Sequence, residues 1–286
     1  MRHSQTHTNG YRSRGMLLSF AVFLFAALAL AGCKSAKAPP TLNLVTTTST
    51  QDSGLLDQLV PAAEKSLGLH VKVIAVGSGE ALKFAERGEA DVLLAHSPSA
   101  EEKVVAAGHL VDRTPLMWNR FIVVGPETDP AKISGLSDPV EAFKRIHAAG
   151  ATFVSRGDES GTHRKEQEIW KATGLELKDP HVVATGQGQG ETLLVASQRT
   201  AYALCDSSTW AKMKPTGLVI LVDARGKKLP GGPSLTNPYH VMRENEATHP
   251  STNTEAAKRF LAWIKGPEAA RVITSSGFSL GEPPAG

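Results

Sequence analysis

Cysteine is nearly missing from this sequence: only Cys33 and Cys205 occur in 286 residues. There is no Cys-x-x-Cys and, beyond Cys33, no His-x-x-x-His, so the ligand spacings of a zinc site are absent. His163 and Glu166, three apart on one predicted helix face, come nearest to a ligand pair, and are expected to be a solvated pair. Charge of one sign is missing as well. The chain carries 31 Lys and Arg against 28 Asp and Glu, but Arg2, Arg12 and Arg14 sit in an acid-free leader, which leaves 28 of each sign beyond residue 33. That balance excludes the broad basic face of a nucleic-acid or membrane-surface binder, so any anion must be held by local donors. Internal repeats and long low-complexity segments are absent too. The glycine-rich run Gly186-Gln187-Gly188-Gln189-Gly190 lacks the Lys-Ser/Thr that would make it a nucleotide phosphate loop.

The apolar run at residues 16–31 falls short of the roughly 20 residues of a comfortable membrane span. With its basic flank and the ending Leu30-Ala31-Gly32-Cys33, it resembles a bacterial lipobox. Residues 1–33 are therefore expected to be a lipoprotein signal peptide whose cleavage leaves Cys33 as a lipidated N-terminus. A plain signal peptide or a short uncleaved anchor is the alternative. Residues 34–40, with Lys34, Lys37 and the Pro39-Pro40 pair, read as a tether. Cys205 is expected to be a small buried residue ending a strand.

The remaining chain, about 250 residues, suits two modest lobes. Apolar runs at 42–46, 71–76, 91–95, 151–154, 181–185, 201–205 and 218–222 read as strands, mostly alternating with helical patterns. A helix from Leu55 should bend at Pro61, another should begin at the capping box Ser99-Ala100-Glu101-Glu102, and a third at Asp138 to Glu141. The run at 117–126 has no helix before its turn and is read as a crossing between lobes; residues 237–243 are read as the crossing back. The expected fold is α/β and two-lobed, each lobe a doubly wound, mostly parallel sheet with ligands at the strand C-termini. Lobe 1 is assigned to 41–119 and 240–286, lobe 2 to 120–239.

Four segments follow strands and open helices, all rich in glycine and hydroxyls: 46–53, 77–79, 155–162 and 186–192. The first N–H groups of a helix lack carbonyl partners and carry partial positive charge, so an oxyanion placed there finds donors ready. Arg156 adds full charge and a planar fork, and Ser160 and Thr162 add hydroxyls. Facing one another across a cleft, two such loops from each lobe would enclose a small oxyanion. Ser160, His163 and Asp158 are also the residue types of a hydrolase triad. They lie within six positions on one turn, no Gly-x-Ser-x-Gly elbow surrounds Ser160, and they would not readily align for proton relay. A serine hydrolase is the remote alternative.

Thr46-Thr47-Thr48-Ser49-Thr50-x-x-Ser53-Gly54-Leu55-Leu56, Ser155-Arg156-Gly157-Asp158-x-Ser160-Gly161-Thr162-His163-x-x-Glu166, Gly186-x-Gly188-x-Gly190-x-Thr192-Leu193 and Asn237-Pro238-Tyr239 resemble the tungstate-binding lipoproteins of bacterial ABC importers, the TupA type. The resemblance implies a type II periplasmic-binding-protein fold that closes by hinge bending and captures tungstate for a permease and its ATPase. It implies no enzymatic activity, no cofactor, an extracytoplasmic location, a lipid anchor as the only membrane contact, no nucleic-acid partner and a monomer. Carried onto this chain, it makes Thr47, Thr48, Ser49 and Ser78 the lobe 1 ligands and Arg156, Ser160, Gly161 and Thr162 those of lobe 2. Asp158 is expected to orient Arg156 or cap the helix, because like charges repel, and Thr192 to stand behind the site. Where the family tends to have a threonine before the aspartate of a Tyr-x-Leu-Thr-Asp-Arg pattern, this chain has Cys205-Asp206-Ser207. Molybdate, sulfate and phosphate are the alternative ligands, and physics alone does not separate molybdate from tungstate.

Overall fold

The computed structural model describes Met1 and residues 38–175, 180–223 and 234–283. Residues 2–37, which hold nearly all of the expected signal peptide, Cys33 and the start of the expected tether, lie outside the described residues. All elements below belong to the unit Pro40–Gly286.

The first sheet begins with three parallel strands, β1 (Thr41–Thr47), β2 (His70–Val76) and β3 (Val92–Ala95), in the order β2-β1-β3. Helices α1 (Thr48–Asp52), α2 (Leu55–Leu67) and α3 (Ser78–Glu86) connect them, and α4 (Pro98–Ala106) follows β3. The second sheet repeats the plan with β5 (Phe153–Ser155), β6 (Val182–Ala184) and β7 (Tyr202–Asp206), all parallel. Its helices are α5 (Pro139–Ala148), α6 (Gly161–Thr173), α7 (Gln189–Gln198) and α8 (Ser207–Met213), and β8 (Leu218–Val222) follows.

Alternation along each strand explains why both faces of each sheet are covered. Leu42 and Leu44 of β1 enter one core with Leu55, Leu59 and Phe260, while Val45 enters another with Ala81, Ala85 and Leu93. In the second sheet Tyr202 and Leu204 pack with Phe143, Phe153 and Trp170, while Ala203 and Cys205 pack with Ile122 and Leu193. Successive side chains of a strand point to opposite faces, so a doubly covered sheet needs apolar residues at both parities.

Two strands tie the sheets together. β4 (Leu110–Pro126) pairs with β9 (Thr236–Glu244) from Leu110 to Arg120, then from Phe121 onward pairs with β7 and β8. β9 also pairs antiparallel with β3 and so lies between β3 and β4 in the strand order. Helices α9 (Thr254–Ile264) and α10 (Pro267–Ser275) and the short β10 (Ser279–Leu280) then pack onto that sheet. Pro267 occupies the first turn of α10, where its missing N–H costs nothing.

Some expected boundaries move. β4 starts at Leu110 rather than near Met117, and α2 continues through Pro61. The cap of α4 is Ser97, not Ser99: Pro98 takes the first helical position, and Glu101 accepts the Ser97 N–H at 2.6 Å. Residues 48–52, read as loop, form the one-turn helix α1 capped by Thr47. Among the described residues no helix is long and apolar enough to cross a membrane.

Candidate anion-binding site

Four strand-to-helix junctions meet between the two sheets. Thr47 ends β1 and caps α1, its hydroxyl 2.9 Å from that of Thr50. Thr48 and Ser49 are the first two residues of α1, and Ser49 is buried with its hydroxyl 3.4 Å from His96 Nε2. Ser78 opens α3 and is buried. From the second sheet, Ser160 caps α6 by accepting the His163 N–H, and Gly161 and Thr162 form its first turn. Thr162 is wholly buried and its Oγ1 has no hydrogen-bond partner.

Arg156 lies between them with no solvent exposure. Its Nε donates to the Gln187 carbonyl at 2.9 Å and its Nη1 to Gln189 Oε1 at 3.3 Å. Its Nη2 donates to Asp158 at 2.5 Å and, across the cleft, to Thr48 Oγ1 at 3.3 Å. Asp158 Oδ1 also accepts the Ser160 N–H at 3.2 Å, so one carboxylate both pairs the arginine and supports the start of α6. The turn that delivers Arg156 needs glycine at 157. Its φ is +61°, and a Cβ there would lie 2.7 Å from Ala184.

Glu166 departs from the expected solvated pair with His163. It is buried beneath the loop, where it accepts from the Ser155 hydroxyl and, at 3.1 Å, from the Arg156 N–H. Burial pushes its pKa up to about 8, against the opposing pull of the Ser155 and Arg156 hydrogen bonds. Helical spacing places His163 and Glu166 near one another but does not say that one of them faces inward. Among the described residues no cluster of three His, Cys, Asp or Glu could hold a metal ion.

Hydrogen bonds cross the cleft at the helix starts. Besides Arg156 to Thr48, the Gly161 N–H donates to Ser78 Oγ at 2.9 Å, and the Gly190 N–H to Asp52 Oδ2 at 3.2 Å. Gly161 also sits against His96 so closely that an added Cβ would lie 2.4 Å from the ring. The lobes are thus in contact at the site. Thr192 stays behind it, donating to the Gly188 carbonyl and meeting Thr185, both within the second lobe.

Several participants were not assigned as site residues from the sequence, although Asn237 stood in the motif Asn237-Pro238-Tyr239. Asp52, His96, Asn119, Gln189 and Asn237 all join the cleft network. His96 had a signal: it directly follows β3, at the strand C-terminus where α/β ligand sites form. Cys205-Asp206-Ser207 contributes through Asp206, which caps α8 and accepts from Asn119 Nδ2 at 2.9 Å. Cys205 is fully buried, and burial pushes its thiol well above the usual range. A Gly-x-Ser-x-Gly does occur, at Gly277-Phe278-Ser279-Leu280-Gly281. It follows α10 and places exposed Ser279 opposite Trp118 in an antiparallel pair, so it is not the strand-to-helix elbow of a hydrolase.

Two α/β lobes, two strands passing between them and a cleft of hydroxyls and helix starts around one buried arginine define a solute-binding protein of the periplasmic type. The model of the PBP superfamily domain matches residues 34–268. The tungstate-binding protein TupA of Peptoclostridium acidaminophilum is 39% identical over 275 residues, covering 92% of this chain and 94% of that one. Among solved structures, the tungstate ABC transporter protein from Geobacter sulfurreducens is 42% identical with a TM-score of 0.72, covering 82% of this chain and 98% of that one. Tungstate-binding TupA from Desulfovibrio alaskensis G20 is 37% identical with a TM-score of 0.69, covering 86% and 100%. The chain belongs to the TupA family within the PBP superfamily. That family consists of extracytoplasmic solute-binding proteins of ABC transporters, not enzymes.

Proposed function

We propose that this protein captures one tungstate ion in the cleft between its lobes and delivers it to the permease and ATPase of an ABC importer. The observation that carries the reading is Arg156, fully buried, with donors reaching groups of both lobes. A charge in that position is costly unless paired, and besides the Asp158 carboxylate its hydrogen-bond partners are neutral: the Gln187 carbonyl, Gln189 Oε1 and the Thr48 hydroxyl.

In this reading Thr47, Thr48, Ser49 and Ser78 donate from lobe 1 (41–119 and 240–286), and Arg156, Ser160, Gly161 and Thr162 from lobe 2 (120–239). They hold the oxo groups by hydrogen bonds, and no side chain coordinates the metal atom. Asp158 and Thr192 stand behind them. The partnerless Thr162 Oγ1 supports its place, and the 3.3 Å Arg156–Thr48 bond is the contact an oxyanion would replace. Bonds involving charge contribute about 1.5–3 kcal/mol each and neutral ones about 0.5–1.5. Micromolar to nanomolar affinity requires only about 8–12 kcal/mol net, so such a set suffices after desolvation.

Competition calorimetry with tungstate, molybdate and sulfate tests the reading on the protein lacking its leader. One tungstate per molecule is expected. Ligand at about a thousandfold over Kd should stabilise the fold by about 4 kcal/mol. An unchanged melting temperature in an excess of all three anions sinks the oxyanion reading. The leader 1–33 is proposed to direct export and lipidation at Cys33, leaving a lipid-anchored monomer tethered by residues 34–40. Cys33→Ser should then release the protein from membranes, and retention of the variant there would oppose a lipid anchor.

A further inference from the structure

A polar relay runs from Asp206 to Ser49, and its direction is fixed at one end. Asp206 Oδ1 accepts the backbone N–H groups of Ser208 at 3.1 Å and Thr209 at 2.9 Å, so it is an acceptor toward Asn119 too. Asn119 therefore turns its amide nitrogen to Asp206 at 2.9 Å and its oxygen to Asn237, whose Nδ2 donates at 2.7 Å. Asn237 is left offering an oxygen to His96, so His96 Nδ1, at 2.9 Å, carries the hydrogen. Burial pushes the His96 pKa below its usual value and so favours the neutral ring, in which the hydrogen on Nδ1 leaves Nε2 a lone pair. The Ser49 hydroxyl, 3.4 Å away, must donate to it.

This creates a conflict at the site. A Ser49 hydroxyl whose hydrogen points at His96 presents only lone pairs to the cleft, where an oxyanion needs donors. Turning the hydroxyl toward the anion would leave Nε2 buried without a partner, and a buried unsatisfied group costs about 1–3 kcal/mol.

We propose that capture of the oxyanion is coupled to uptake of one proton by His96. With the proton taken from solvent, Nε2–H donates to Ser49 Oγ, the Ser49 O–H turns to the oxyanion, and the imidazolium adds positive charge beside Arg156. The inference rests on the oxyanion reading above. The groups facing the ring are consistent with a site poised for this exchange. Asp206, where β7 meets α8, and Glu101 of α4 favour the protonated form, whereas Arg156 opposes it. Tyr239 of β9 stacks on the ring at 4.6 Å, and Ser49 and Asn237 are neutral. A bound dianion tips this balance toward the imidazolium. Because Asn119 and Asn237 lie on the two strands that join the lobes, the same relay links occupancy of the cleft to the hinge.

Two measurements on the protein lacking its leader test the proposal. Calorimetry with sodium tungstate at pH 7.5, in buffers of different ionisation enthalpy, should show uptake approaching one proton per tungstate. Affinity should fall by up to tenfold per pH unit above that pH. His96→Asn should remove both effects. In case that variant folds poorly, 15N-histidine NMR of the unaltered protein gives a second readout. His96 Nε2 should change from a lone-pair nitrogen to a protonated one on adding tungstate. Tungstate binding with no proton uptake and an unchanged Nε2 overturns this inference and leaves the tungstate reading standing. Absence of binding by tungstate, molybdate and sulfate alike overturns both.

Discussion

The two sides of the cleft hold their donors by opposite means. Lobe 1 offers neutral hydroxyls, each satisfied close by: Thr47 with Thr50, Ser49 with His96, and Ser78 by accepting from Gly161. Lobe 2 offers a buried cation, and its partners are layered. Asp158 pairs the guanidinium, the Gln187 carbonyl and Gln189 fix its other edge, and Glu166 anchors the backbone beneath it. Hydroxyls reorient by rotating one bond, whereas a desolvated guanidinium must be organised in advance because an unpaired buried charge costs several kcal/mol. In the proposed reading, lobe 2 carries the organised charge and lobe 1 adds hydroxyls that rotate into place.

The sharpest way to break that comparison is Arg156→Ala. Loss of two or more charge-assisted bonds, each about 1.5–3 kcal/mol, should weaken tungstate binding by at least about 100-fold in calorimetry. Arg156→Lys keeps the charge without the planar fork and should fall between wild type and alanine. Equal losses for Arg156→Ala and Ser78→Ala would place the arginine outside the site.

Burial raises the pKa of a carboxyl in each lobe, to about 8 for Glu166 and about 7 for Glu244, and raises that of the cleft residue Asp52 as well. A folded pKa above the unfolded value near 4.5 means that the native state holds the proton more tightly. The stabilisation is therefore complete below about pH 4.5 and is lost as pH rises toward 7 in lobe 1 and toward 8 in lobe 2. Glu166→Gln mimics the protonated acid, so it should flatten the loss between pH 5 and 9 by an amount on the order of 4 kcal/mol at the alkaline end. Glu244→Gln should do the same over a narrower window and by less. Melting curves across that range are the check, and a Glu166→Gln variant with the wild-type pH profile would mean that the lobe 2 carboxyl is ionised throughout.

Gly161→Ala probes closure. The new Cβ would lie 2.4 Å from His96 across the cleft, and accommodating such an overlap costs about 1–3 kcal/mol. Affinity should drop about tenfold or more while the ligand-free protein melts normally. Scattering should show a smaller contraction on adding tungstate than in wild type; full contraction with unchanged affinity would mean that His96 yields freely.

The alternation of strands and helices was legible because doubly covered strands leave apolar runs at both parities, as Leu42 to Val45 and Tyr202 to Cys205 show. The start of β4 was hidden because its pairing with β9 shifts register around Asp112 and Arg113, with Asp112 at φ 58°, where polar residues interrupt the apolar pattern. Residues 48–52 carry no apolar period, and α1 exists because Thr47 caps it and Ser49 and Thr50 are buried. At the site, the loops could be read because helix starts and hydroxyls are local signals. The relay of His96, Asn237 and Asn119 could not, since the bonds from Asn237 to His96 and to Asn119 each span more than a hundred residues of chain. Glu166 shows the same limit at short range: its spacing from His163 was visible, but the face it turns inward is decided by packing.

The smallest effect is expected at Ser78, and it bears on the comparison most directly. Its hydroxyl accepts the Gly161 N–H at 2.9 Å, so it joins a neutral lobe 1 group to the first turn of the lobe 2 helix. Ser78→Ala removes one neutral hydrogen bond, about 1 kcal/mol, but it also releases a helix-start N–H that can turn to the oxyanion. These changes partly cancel, so affinity should fall only about threefold to fivefold. Because the lost bond exists only when the lobes meet, the change should appear as faster dissociation with association nearly unchanged. Stopped-flow kinetics separates the two rates. A Ser78→Ala variant that mainly slowed association would mean that lobe 1 recognises the ion before closure, which would invert the division of labour between the lobes.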